Sequence, residues 1–224
     1  MELKGKSINF LGDSITEGSG VSDRANNRYD NVLKRMCGLK AVYNYGIGGT
    51  RIAHQYTPSE EPRRDLHFCG RAFDLNPDAD ITVVYGGIND YIHGDAPFGQ
   101  IGDKTNATFC GAVWLLMHIL KTKYMGKTVV FMTPAHCFFK GVSDTDRSNR
   151  PMKQADAKPV IAYVDVIKET AKEFDIPVLD LYHDLGIDPN REEDRANLTT
   201  DGLHFNDAGH AIIAEKLKTF LESL

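Results

Sequence analysis

The stretch Phe10-Leu11-Gly12-Asp13-Ser14-Ile15-Thr16-Glu17-Gly18 decides how the chain is read. Ile8, Phe10 and Leu11 form a short apolar run that Gly12 ends, and an acidic residue and a serine follow at once. Such a run closed by glycine reads as a buried strand entering a tight turn. In a parallel sheet, ligands sit in the loops just past the strands' C-terminal ends. Ser14 therefore falls where it can meet a substrate. Asp13 and Ser14 are equally suited to capping the next helix, a common use of both residue types. This stretch alone leaves the two readings level.

Working outward, four further strands are predicted at Ala41–Tyr45, Asp80–Tyr85, Lys127–Thr133 and Pro177–Leu181. Asp80–Tyr85 is β-branched and nearly continuous, as expected of a strand covered on both faces. Between the strands, apolar residues recur at helical spacing: Tyr29, Val32, Leu33 and Met36; a stripe within Lys104–Tyr124; Val160 to Phe174; and Ala208–Leu221. Arg51–Asp78 reads as a long connection with one short helix near Gly70–Leu75. Tyr91–Asp103 reads as a loop over the sheet's edge, and Tyr182–Thr200 as a polar connection. His136–Lys153 has the length of a lid or a disordered segment. Strands alternating with amphipathic helices predict an α/β fold with a five-stranded parallel sheet and right-handed crossovers. No repeat or linker calls for a second unit, so residues 1–224 are read as one domain.

The net charge of -5 and the lack of any basic cluster beyond pairs such as Arg63-Arg64 argue against nucleic acid as a partner. No apolar stretch approaches a membrane span. The N-terminus lacks a signal-peptide core, which predicts a cytoplasmic protein unless a leader has been removed. The 4 cysteines (Cys37, Cys69, Cys110, Cys137) are scattered with no Cys-x-x-Cys, so they are expected to be small buried hydrophobes. No cluster of ligands predicts a metal site, and no cofactor is implied. Oligomeric state is left open.

Asp201-Gly202-Leu203-His204 precedes the last helix. Histidine is the natural base near neutral pH, and a carboxylate can hold its tautomer and stabilise its protonated form. Asp201 and His204 can project to one side of a turn, leaving the second ring nitrogen for Ser14. Alternatively, Asp201 starts a turn and His204 is hydrogen-bonded at a helix entry. Gly46-Ile47-Gly48-Gly49 follows strand two and Gly87-Ile88-Asn89-Asp90 follows strand three, both at the Ser14 end of the sheet. Acyl transfer needs donors aimed at the oxygen that becomes negative; a glycine N–H with no Cβ in the way and an asparagine amide suit that need. Asp13 and Asp90 are expected to position loop backbone. His54, His93, His136 and His183 lie in predicted loops near this end, whereas His118 and His210 lie in predicted helices with structural roles.

Together, Gly12-Asp13-Ser14, Gly49, Gly87-x-Asn89-Asp90 and Asp201-x-x-His204 resemble the four sequence blocks of the SGNH hydrolases, also called GDSL esterases and lipases. Ile15 departs from that pattern, which has leucine there; a like-sized apolar exchange should matter little. The resemblance implies a flavodoxin-like three-layer α/β/α fold. It also implies Ser14 as nucleophile, His204 as base oriented by Asp201, and an oxyanion hole from the Ser14 N–H, the Gly49 N–H and the Asn89 amide. Gly48 is an alternative donor to Gly49. Thr16 stands where the Gly-x-Ser-x-Gly elbow of α/β-hydrolases has its second glycine, so that strained elbow is not expected.

The long predicted loops are polar, which favours small or polar esters such as O-acetyl groups on carbohydrates over long-chain lipids. A lysophospholipase or acyl-thioesterase is the enzyme alternative. A flavodoxin-like sheet holding phosphate or a nucleotide at Gly46–Gly49 is the non-enzyme alternative, but it leaves Asp201 and His204 without a use. A binding module that has kept only the scaffold is a third possibility, and four intact blocks weigh against it.

Overall fold

The computed structural model describes residues 1–139 and 158–224. Five strands, β1 (Ser7–Gly12), β2 (Ala41–Gly46), β3 (Ile81–Tyr85), β4 (Thr128–Met132) and β5 (Val178–Leu179), form one sheet in the order β2-β1-β3-β4-β5. Every pairing is parallel, as predicted. This is the doubly wound order in which ligands bind at the carboxyl ends of the strands, where the direction of winding reverses.

Strand alternation builds the three layers. Phe10, Val83 and Val130 join one apolar cluster, whereas their chain neighbours Leu11, Val84, Val129 and Phe131 join the other. Period 2 puts successive side chains on opposite faces, so each strand feeds both clusters. Short α1 (Ser14–Glu17) and α2 (Arg24–Asn27) lead into α3 (Tyr29–Cys37). Then come α4 (Phe68–Arg71), α5 (Ile88–His93), α6 (Phe109–Lys123) and α7 (Val160–Glu173). The chain closes with α8 (Leu181–Asp184), α9 (Glu192–Leu198) and α10 (Asp207–Ser223). Tyr29 and Leu33 of α3 pack with Ile213, Leu217 and Leu221 of α10 on the first face. Helices α4 to α7 cover the second, with Phe109, Leu116, Tyr163 and Ile167 at its heart. Each such fully buried side chain contributes roughly 1.5–3 kcal/mol.

Several predicted boundaries move. Helix α6 starts at Phe109, not Lys104, because the Thr108 side chain accepts the Gly111 N–H and so caps it. The start of the predicted Tyr91–Asp103 loop belongs instead to α5, whose Ile88, Tyr91 and Ile92 are all buried. The short helix in the Arg51–Asp78 connection lies at Phe68–Arg71, after a 3-10 turn at Pro62–Asp65. Strand β5 has only two residues because α8 begins at Leu181. The polar Tyr182–Thr200 segment contains α9, which buries no residue and so has no apolar stripe to read. The predicted His136–Lys153 loop lies, beyond residue 139, outside the described residues. Among the described residues no helix is long and apolar enough to cross a membrane. All 4 cysteines are free thiols, three of them buried and Cys37 half-buried.

Register brings the loops of the site together. Gly12, at the end of β1, stands opposite Gly46 of β2 on one side and Tyr85 of β3 on the other. The three loops that leave these positions therefore emerge side by side.

Candidate active site

Chain direction changes sharply at Gly12-Asp13-Ser14. A Cβ on Gly12 would run into the Thr16 side chain and the Tyr85 carbonyl, so only glycine lets α1 fold back this tightly over the strand ends. Asp13 caps α1 by accepting the Ile15 N–H at 3.0 Å. Ser14 is the first residue of that turn, and its Oγ faces a cleft of about 560 Å³.

The fourth sequence block reaches the same cleft from between α9 and α10. Thr199 and Phe205 form an antiparallel bridge, and the Thr200 N–H donates to the His204 carbonyl at 2.8 Å, closing a tight loop. Within it Asp201 Oδ1 accepts the backbone N–H of His204 at 2.7 Å and that of Leu203 at 2.9 Å. Its Oδ2 lies 2.7 Å from His204 Nδ1, and His204 Nε2 lies 2.9 Å from Ser14 Oγ. Burial pushes the Asp201 carboxyl up, but the hydrogen bonds from the His204 N–H, the His204 ring and the Leu203 N–H outweigh it and hold it below the ordinary carboxylate range. The turn-starting and ring-holding readings of Asp201 are thus both fulfilled, one by each oxygen.

Gly48 and Gly49 follow β2, and Asn89 lies in the first turn of α5. All three line the cleft with Ser14 and His204. The Gly48 N–H donates to Glu17 Oε2 at 2.7 Å. Among the described residues the Gly49 N–H has no such partner, so of the two predicted alternatives Gly49 holds the unoccupied donor. Gly49 has φ +78°, a left-handed conformation that glycine adopts without strain. Asn89 is held from both ends of its amide. Nδ2 donates one hydrogen to the Thr50 carbonyl at 3.1 Å, and Oδ1 lies 2.9 Å from His93 Nε2. Its second N–H remains for the cleft.

Asp90, one residue on, does not face the cleft: its two oxygens accept the N–H groups of Ile52 and Ala53 at 2.9 and 3.0 Å. Asp13 likewise binds backbone. Burial raises its pKa from 3.8 to about 6, against the Ile15 hydrogen bond and the attraction of His204 and Arg71. Among the four loop histidines, only His93 lines the cleft, through its hold on Asn89. His54 packs against the rings of Tyr56 and His67. His136 and His183 line a separate hollow of about 150 Å³. Of the two helical histidines, His118 stacks on Trp114 on the exposed side of α6, and His210 is fully buried, its Nδ1 accepting the Tyr29 N–H.

Five charged residues that the sequence alone leaves without a role complete the surroundings. Arg71, 6% exposed, ties three loops together: its guanidinium donates to the Gly12 carbonyl, to the Tyr45 carbonyl and to Thr50 Oγ1. Glu17, within the opening motif, carries Gly48 on one oxygen and Arg63 Nη2 on the other at 2.7 Å. Arg63 and Arg64 come from the 3-10 turn at Pro62–Asp65 and line the cleft with Arg24. The Arg63-Arg64 pair is visible in the sequence, but only the folded connection brings it to the cleft.

Proteins of known structure share this fold. The chain superposes on a protein of Lactobacillus plantarum at 31% identity, covering 98% of both chains, with a TM-score of 0.81. It also shares its fold with a carbohydrate acetylesterase family member from Sinorhizobium meliloti (18% identity, 97% of this chain and 98% of that one, TM-score 0.63). The acetyl xylan esterase AlAXEase is similar at 20% identity, 95% of this chain and 98% of that one, and a TM-score of 0.58. No curated protein matches the chain. The sequence profile of the GDSL-like lipase/acylhydrolase family matches residues 10–212, from the strand before Ser14 to beyond His204, and the chain belongs to that family of ester hydrolases.

Proposed function

We propose that the protein hydrolyses small or polar carboxylic esters, foremost O-acetyl groups, by two-step acyl transfer through Ser14, His204 and Asp201. The observation that carries this reading is the continuous chain Ser14 Oγ to His204 Nε2 (2.9 Å) and His204 Nδ1 to Asp201 Oδ2 (2.7 Å). A serine hydroxyl is a poor nucleophile until an adjacent base takes its proton. Asp201 keeps the proton on Nδ1, so Nε2 is free to accept from Ser14 Oγ as the hydroxyl attacks the ester carbonyl. Protonated His204 then donates to the departing alcohol. Water repeats the cycle on the acyl-enzyme, returning the acid and free Ser14.

The carbonyl oxygen becomes negative in each tetrahedral intermediate. The Ser14 N–H, the Gly49 N–H and the second N–H of Asn89 are the donors assigned to it. The contacts of Asn89 to Thr50 and His93 fix its amide before substrate arrives, and such preorganisation is what makes these donors effective.

The lining supports the substrate class. Apart from Ile92 and Leu203, the cleft's side chains are serines, arginines, glutamates, histidines and an asparagine. A long acyl chain would gain little there, because apolar burial is what recommends such a site to lipid. The test is a series of p-nitrophenyl esters of increasing acyl length beside acetylated sugars. Ser14→Ala is expected to lower turnover by at least about three orders of magnitude, and rates are expected to fall as the acyl chain lengthens. Esterase activity that survives Ser14→Ala would overturn the assignment; rates that climb with chain length would transfer it to a lysophospholipase or thioesterase.

A further inference from the structure

We propose that Arg24 and Arg64 form a subsite for an anionic group on the alcohol portion of the ester, so that the preferred substrates are acetyl esters of acidic alcohols. The proposal rests on the acyl-transfer reading above. An acetyl group is too small to carry the charge itself, which leaves the alcohol side to carry it.

The chain as a whole is acidic, at -5. Its cleft is the reverse, with three guanidiniums (Arg24, Arg63, Arg64) facing two carboxylates (Glu17, Glu61). Glu17 is fully engaged: one oxygen holds the Gly48 N–H and the other holds Arg63 at 2.7 Å, with Arg24 Nη1 more distant at 3.9 Å. Arg63 is therefore committed to the framework. Arg24 gives only its Nε–H to the framework, at 3.3 Å from the Gly18 carbonyl, and Arg64 pairs only with Glu61 among the described residues.

Arg64 pairs with Glu61 at 2.7 Å, but the two side chains are 50% and 57% exposed and lie three residues apart. A surface pair of that kind is weak and easily exchanged, so a bound anion can take the place of Glu61. Meanwhile the backbone under Arg64 is fixed. Buried Arg51 donates from Nη1 to the Arg64 carbonyl at 3.1 Å and to the Gly49 carbonyl at 3.0 Å, coupling the two segments. The Arg64 stem lies on Gly49, where a Cβ would come within 3.0 Å of Cδ and 3.5 Å of Nε. The guanidinium is thus held beside the donor assigned to the reacting carbonyl, within the length of a small substrate. A planar guanidinium matches a carboxylate or a phosphate through paired N–H donors.

Three acetyl esters of similar phenols test this: 3-acetoxybenzoate, 3-acetoxyphenyl phosphate and neutral 3-acetoxybenzamide. For the unaltered enzyme at low salt, kcat/KM for at least one anionic ester should exceed that for the amide by about tenfold. Whichever anion is favoured identifies the group the subsite takes. Arg64→Gln should cut that ratio about tenfold, Arg24→Gln should cut it by a smaller factor, and Arg64→Lys should restore part of it. Added sodium chloride should also shrink the ratio, because exposed charges are screened. Equal kcat/KM for all three esters, or a ratio unmoved by both glutamine variants, would overturn the subsite. Hydrolysis that depends on Ser14 but ignores charge would leave the acyl-transfer reading standing; hydrolysis independent of Ser14 would remove that reading first.

Discussion

Replacing Asp13 with asparagine should make the folded protein more stable at neutral pH, by an amount that pH itself switches on. Asp13 is 1% exposed, and its one side-chain hydrogen bond among the described residues is the cap on Ile15. Burial lifts its pKa from 3.8 to about 6, so desolvation outweighs the cap, His204 and Arg71 combined. The sign follows from proton linkage. Between pH 3.8 and about 6 the folded chain holds a proton that the unfolded chain has released, so this group's contribution to stability falls as pH rises through that window. Above it the ionised carboxylate costs folding on the order of 3 kcal/mol, at about 1.4 kcal/mol for each pH unit. Asparagine keeps the capping oxygen and never ionises.

Urea unfolding of both proteins, followed by the fluorescence of Trp114 and by far-ultraviolet circular dichroism at pH 4 to 8, measures the difference. Carboxyls held below their ordinary range, such as Asp80 and Asp201, give the opposite slope in both proteins and cancel in the comparison. The expected gain for Asp13→Asn is near zero at pH 4, grows between pH 4 and 6, and levels at about 3 kcal/mol by pH 7. A difference that stays flat with pH, or a variant less stable than the parent at pH 7, would refute the reasoning. A flat difference would mean that the cap and the attraction of Arg71 and His204 balance the burial penalty, and a less stable variant that they exceed it. Such a cost at neutral pH would be a stability sacrificed beside the proposed nucleophile, Ser14.

Two further outcomes address the donors proposed for the reacting carbonyl. Asn89→Ala should lower kcat about 10²–10³-fold with little change in KM, the pattern of a group that acts only in the transition state, as steady-state kinetics on p-nitrophenyl acetate will show. Gly49→Ala places a side chain at φ +78° and presses it against Arg64; a loss of stability of about 1–2 kcal/mol is expected from the strain alone. Its kcat should fall as well, measured beside a thermal melt.

Sequence patterns and folded contacts carry different parts of this site. Phe10 and Leu11, adjacent in the chain, face opposite clusters, and the apolar runs they belong to already announce strands covered on both sides. Helices with a buried stripe, such as α7, are visible for the same reason. Helix α9 is hidden because it buries no residue fully and sets only Leu198 against the core, although its acidic first turn of Glu192, Glu193 and Asp194 is a start signal that apolar periodicity overlooks. Asp201 and His204 are legible together because they stand three positions apart on one turn. The framework behind them is not. Arg71 reaches residues 12, 45 and 50, and no local pattern says which loops a buried arginine will bridge. The choice between Gly48 and Gly49 shows this most clearly. In sequence the two glycines are neighbours of equal merit. What separates them is Glu17, 31 residues away, which occupies the Gly48 N–H and is itself braced by Arg63. The identity of the free donor is therefore a property of three loops meeting at the ends of β1 and β2. Any substitution that releases Glu17 from Gly48 would leave the N–H groups of both glycines unoccupied without altering a residue of the four sequence blocks.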